Sequence, residues 1–186
     1  MTITEIYESL NYVNHSREKR TEMAKLVSEN PELITPLLNI AFSVNDPISS
    51  KACWVLEFTA KEDLASIFPY LDLFTNKIGN VHLDSSVRPM AKICEYLITS
   101  YSSKMPNEVQ NYLSNKHLER ITTACFDWLI SDQKVAAQAY SMTCLLLLGN
   151  KFEWILPELK MILEKNYTQG SAAYKARARI VLAKIK

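Results

Sequence analysis

Arg88, Lys92, Tyr140 and Arg177 recur at matched places in three segments of helical pattern. Guanidinium and ammonium groups take up carboxylates and phosphates, and a phenol adds a flat ring with a polar tip. In register these four would line one basic, partly aromatic stripe, which suits holding a partner. The residues that would transform a substrate are not grouped. His15, His82 and His117 lie far apart, and neither Cys-x-x-Cys nor His-Glu-x-x-His occurs. The three glycines are isolated, so no phosphate-cradling loop is expected. Cys53, Cys94, Cys125 and Cys144 all fall in helical patterns and read as buried, reduced thiols. No catalytic residue, metal site or cofactor is expected.

The chain that must position the stripe has 186 residues, 48% of them apolar. That is enough for one sizeable core or one short repeat array. Net charge is +1, so bulk electrostatics make no case for nucleic acid. The halves differ: residues 1–93 carry 9 bases and 12 acids, and residues 94–186 carry 12 and 8. Residues 165–186 hold six bases and no acid, among them Lys175, Arg177, Arg179, Lys184 and Lys186. The start of the chain lacks a basic stretch followed by an apolar one, and the apolar run 144–148 is too short to span a bilayer. A cytoplasmic location is the expectation.

Thr2 and Glu5 form a capping box, with Ile3, Ile6, Tyr7, Leu10 and Val13 following at helical spacing. A second helix is expected over residues 17–29, and together residues 1–30 should cap a repeat array. One pattern then appears three times: Ile34-Thr-Pro36-Leu-Leu38, Ile67-Phe-Pro69-Tyr-Leu71 and Ile155-Leu-Pro157-Glu-Leu159. A proline there either bends its helix or sits in the first turn. Second helices come after each, and Ala52, Ala91, Ala139 and Ala176 overlay as close-approach positions 39, 48 and 37 residues apart. Asp46, Asp84 and Asp132 stand where they could cap these helices. Gly79 and Gly149 stand where left-handed helix ends are expected. The long middle spacing implies an insertion near residues 101–116. The expected fold is all-α: about ten helices in a single domain, with about four helix pairs over residues 31–186.

These features resemble the HEAT repeat family, best at Asp84-Ser-Ser-Val87-Arg88-Pro-Met-Ala91. Ser49, Ala136 and Ala173 depart from it where the family's arginine is expected. The resemblance implies a right-handed superhelix of armadillo type whose second helices, and so Arg88, Lys92, Tyr140 and Arg177, line a concave binding face. It implies a non-catalytic scaffold for a protein partner.

Two other resemblances imply different chemistry. Asp127, Trp128 and Trp154 are similar to the carboxylate and aromatics of DNA glycosylases of the AlkD type, which would make this a nucleic-acid-binding module. Adjacent helical residues point about 100° apart, so Asp127 and Trp128 should not share a face, and both tryptophans should be core. Ser102-Ser103-Lys104-Met105-Pro106 resembles the loop signature of fumarase and adenylosuccinate lyases, where a serine is the general base. Here Glu108 replaces the signature lysine, Gln110 the asparagine and Tyr101 the glycine. Glu108 would repel a polyanionic substrate, so the match is read as coincidental. Finally, Ile180, Leu182 and Ile185 lack a polar cover, so self-association through the last repeat is expected.

Overall fold

The structure, a computed structural model, describes residues 2–185. The expectation for Lys186 lies outside them. Eleven α-helices and no strand occur among the described residues. They are α1 (Ile3–Tyr12), α2 (Arg17–Glu29), α3 (Ile34–Ala41), α4 (Ser49–Glu62), α5 (Leu71–Lys77), α6 (Asp84–Tyr101), α7 (Val109–Tyr112), α8 (Asn115–Ile130), α9 (Val135–Leu148), α10 (Ile155–Tyr167) and α11 (Ala172–Leu182).

One layer of helices runs through the molecule: α2 packs on α4, α4 on α6, α6 on α9, and α9 on α11. The other helices cover it, α3 on α4, α8 on α9, and α10 on both α9 and α11. Each helix of this main layer therefore touches the next. The helix α4 is buried almost all round, from Ser49 to Ala60. The helices α6 and α8 are amphipathic, with Val87, Ala91, Cys94 and Ile98, and Leu118, Ile121, Cys125 and Trp128, turned to the core.

Short polar residues start several helices. Thr2 and Glu5 close their expected box, with Thr2 N–H donating to Glu5 Oε2 at 2.7 Å and Glu5 N–H to Thr2 Oγ1 at 3.2 Å. Ser16, Ser114 and Ser171 cap α2, α8 and α11 with their hydroxyls. Of the three expected aspartate caps, only Asp46 accepts a backbone bond, from Ile48 N–H at 3.0 Å. Asp84 is instead the first residue of α6, paired with Lys134 at 3.5 Å, and Asp132 precedes a helix with no side-chain cap.

Two of the three repeated prolines sit in first turns. Pro36 and Pro157 occupy the third positions of α3 and α10, where the missing N–H has no partner to lose. Pro69 lies in a 3-10 segment, Leu64–Tyr70, so that unit's first helix is split. The expected left-handed glycines are absent, because no described residue has positive φ. Gly149 serves close packing: a Cβ there would lie 2.2 Å from Leu156 Cδ2.

Ala52 and Ala91 are fully buried as expected, but Ala139 is half-buried and Ala176 exposed. Ala137 and Ala178 take the buried places in α9 and α11. A two-residue error turns a helical position through about 200°, to the opposite face. Ile3 and Tyr7 are exposed, at 51% and 38%, leaving Ile6, Leu10 and Val13 to anchor the first helix. No helix among the described residues is long and apolar enough to cross a membrane.

Candidate functional site

The helices α4, α6 and α9 bring most of the expected stripe together on one face. Arg88 and Lys92 stand one turn apart on α6. Arg88 makes a two-pronged pair with Glu57 of α4, Nη1 to Oε1 at 3.1 Å and Nη2 to Oε2 beside it. Lys92 Nζ bonds Glu95 Oε2 at 2.6 Å and lies 4.9 Å from the Tyr96 ring centre and 4.5 Å from that of Tyr140 on α9. Burial works against the charge on Lys92. The Glu95 bond and the neighbouring phenols outweigh it and hold the ammonium above the ordinary lysine pKa. Lys92 also borders a hollow of about 500 Å3 with Lys61, Glu62 and Tyr96.

Arg177 does not join this group. It is half-buried on α11, whose neighbours are α9 and α10. The α4 places that match Arg88 and Lys92 are Ser49 and Cys53, buried at 1% and 0%. The stripe is thus confined to α6 and α9, and its cations are compensated by Glu57 and Glu95.

Sequence reasoning missed the other half of the face. The guanidinium of Arg20, on α2, stacks over the Trp54 indole at 4.4 Å, with Phe58 at 6.0 Å. The His15 ring lies 5.0 Å from that indole. Trp54 is held in turn: its indole N–H donates to the Ser85 carbonyl at 2.7 Å. That carbonyl is four residues before Pro89, which has no N–H to give it. His15, Arg20, Trp54, Asp84, Ser85, Arg88 and Lys134 line a hollow of about 320 Å3. Burial and the nearby Arg88 lower the Arg20 pKa, and Glu57 partly offsets them. The proline inside a second helix was the one signal that could have pointed to Trp54.

The remaining candidate groups are buried or hydrogen-bonded within the fold. Cys53, Cys94, Cys125 and Cys144 are free and buried. Burial pushes the Cys53 thiol up to about 12 and those of Cys94 and Cys144 well above the ordinary value, so they stay protonated. No cluster that could hold a metal occurs among the described residues. His117 caps α8, accepting from Ser114 N–H through Nδ1 at 3.2 Å, and its Nε2 meets Asp72 Oδ1 at 3.2 Å. In the insertion, Asn107 Nδ2 donates to the Ser100 carbonyl at 2.8 Å, and Gln110 Nε2 to those of Tyr101 and Ser103 at 3.1 and 2.8 Å. These two amides close the free carbonyl end of α6. Ser103 Oγ accepts from Met105 N–H at 3.1 Å.

Asp127 is exposed and Trp128 is buried at 3%, on different faces as expected. Trp154, expected in the core, is 57% exposed and stacks on Phe126 at 5.7 Å. Comparison with protein-family models, curated proteins and solved structures finds no match for this chain.

Proposed function

We propose that this chain is a non-catalytic helical-repeat module of HEAT type, with its main layer on the concave side of a right-handed superhelix, and that it binds a protein partner there. The supporting observation is Lys92, a cation set between the Tyr96 and Tyr140 rings and already matched by Glu95. Tyrosine, tryptophan and arginine are the side chains that dominate protein interfaces, because they bury large area at low entropic cost. Arg88, Tyr96 and Tyr140 supply them here, and Trp54, 7% exposed, supports Arg20 from beneath. Glu57 and Glu95 set acid among the bases, which suits a mixed protein surface better than a continuous phosphate backbone.

The nucleic-acid reading draws on the basic side chains of α11, Lys175, Arg177 and Arg179. It requires oligonucleotide affinity that falls steeply with salt.

The test is capture of a partner from the native host by the purified protein. Binding should be lost on Arg88→Glu plus Lys92→Glu, and weakened by Tyr140→Ala, which removes no side-chain hydrogen bond among the described residues. Melting curves check that the variants stay folded. Partner binding that survives all three changes places the contact elsewhere. Salt-sensitive oligonucleotide binding without a protein partner would favour the second reading.

A further inference from the structure

The cations on this face are not equally matched. Arg88 holds Glu57, Lys92 holds Glu95, and Lys134 holds Asp84. Arg20 has no carboxylate within ion-pairing distance among the described residues. Its Nε–H donates to the Asn14 carbonyl at 3.2 Å, and its plane rests on Trp54. That leaves the two terminal nitrogens of the fork without a protein acceptor among the described residues. The group is fixed in place nonetheless. Asn14 holds one edge, the indole holds the face, and Ser85 holds the indole. A guanidinium oriented before its ligand arrives loses less freedom on binding.

The hollow of about 320 Å3 beside it is roomy enough for a carboxyl group and its stem. Its electrostatics favour a single negative charge. Arg20, Arg88 and Lys134 bring three positive charges, and Glu57 and Asp84 bring two negative ones, so one positive charge is in excess. A carboxylate neutralises it. A phosphate dianion or a phosphodiester chain would bring further negative charge against Glu57 and Asp84.

We infer that the hollow between Arg20, Trp54 and Arg88 is a seat for one carboxylate of a protein partner, an Asp or Glu side chain docked two-pronged on the Arg20 guanidinium. The aliphatic stem of that side chain lies beside the Arg20–Trp54 stack, and Lys134 and His15 form the rim. The seat rests on the protein-binding reading above and names the chemistry of the partner.

The probes are N-acetyl-glutamic acid α-methylamide for a side-chain carboxylate, N-acetyl-alanine for a chain-terminal one, inorganic phosphate, and a short oligothymidylate. Each is titrated into the full chain at low salt and followed by amide and arginine Nε–H NMR. The glutamate probe should move and saturate the signals of Arg20, His15 and Ser85 in the millimolar range. Arg20→Gln, at unchanged melting temperature, should weaken it at least about 10-fold, the scale of one lost charge-assisted bond, and Arg20→Lys should restore part of it. No movement at Arg20 overturns the seat. So does tighter binding of phosphate or oligothymidylate there, and so does preference for the terminal carboxylate. A partner captured equally well by wild type and Arg20→Gln removes the seat and leaves the protein-binding reading standing. Partner binding that survives the Arg88 and Lys92 reversals and Tyr140→Ala places the partner contact elsewhere, while the glutamate titration still tests the seat by itself.

Discussion

Trp54 gives Ser85 the hydrogen bond that Pro89 withholds. The indole N–H lies 2.7 Å from the Ser85 carbonyl, four residues before a proline inside an 18-residue helix. An interior proline ordinarily leaves a carbonyl without a partner. Here the gap ties α6 to α4 and fixes the ring on which Arg20 rests.

The tie is measurable as a coupling. Trp54→Phe should destabilise by about 1–3 kcal/mol, for the lost bond and the carbonyl left dry. Pro89→Ala restores a backbone donor to Ser85. In that background the Trp54→Phe penalty should shrink, and a double-mutant cycle in urea gives the difference. Equal penalties in both backgrounds would mean the indole acts only by packing.

Glu57 has a similar role for charge. It is 7% exposed and holds Arg88 by both oxygens. Glu57→Ala leaves Arg88 without its partner near Arg20 and should cost about 2–4 kcal/mol. Glu57→Ala plus Arg88→Met should recover part of that loss, as chemical denaturation would show.

Acid should act through Asp72. The His117 bond outweighs the burial penalty and, with the charges of His117, Arg120 and Lys116, holds this carboxyl below its ordinary value of 3.8. A carboxyl depressed by folding adds stability above its unfolded pKa and loses it as pH falls through the lower folded pKa. The Asp72→Asn variant should therefore melt below wild type at neutral pH. The gap should close as pH drops below about 4, where the unfolded carboxyl begins to take its proton.

Thiol reagents should separate the native and unfolded chains. All four cysteines are buried, and burial holds the Cys53, Cys94 and Cys144 thiols above the ordinary value. At pH 8 the native protein should react only as fast as it unfolds. In denaturant all four should be modified at once.

Two glycines should answer differently to alanine. Gly149→Ala puts a methyl 2.2 Å from Leu156 Cδ2, so that side chain must shift, at about 1 kcal/mol or more. Gly79 has open space around it and φ outside the positive region, so Gly79→Ala should be neutral or stabilise by up to about 1 kcal/mol.

Local signals were legible. The Thr2–Glu5 box, the bounds of α2, and the burial of Ile121, Cys125, Ala52 and Ala91 follow from spacing alone. Each depends on residues within a few turns of one another. The overlay failed at Ala139 and Ala176, where alanine-rich helices offer several equivalent registers two residues apart. Periodicity cannot choose among them, because alanine suits a crowded face and an open one alike. Two of the three expected capping aspartates, Asp84 and Asp132, failed for a related reason. A cap works from one position only, and Leu83 and Lys134 hold that position in α6 and α9, beside Asp84 and after Asp132.

By itself, the sequence determined that this chain is helical throughout and that Arg88 and Lys92 share a helix face, since both follow from local spacing. Only the tertiary structure decided what surrounds them. Arg20 and Trp54 lie 34 residues apart in the chain, and Glu57 and Arg88 lie 31 apart. Nothing in either segment encodes the other's position. The packing of α2 on α4 and of α4 on α6 sets Arg20 against Trp54 and Glu57 against Arg88, because stacking helices buries apolar faces first and carries the polar rims along.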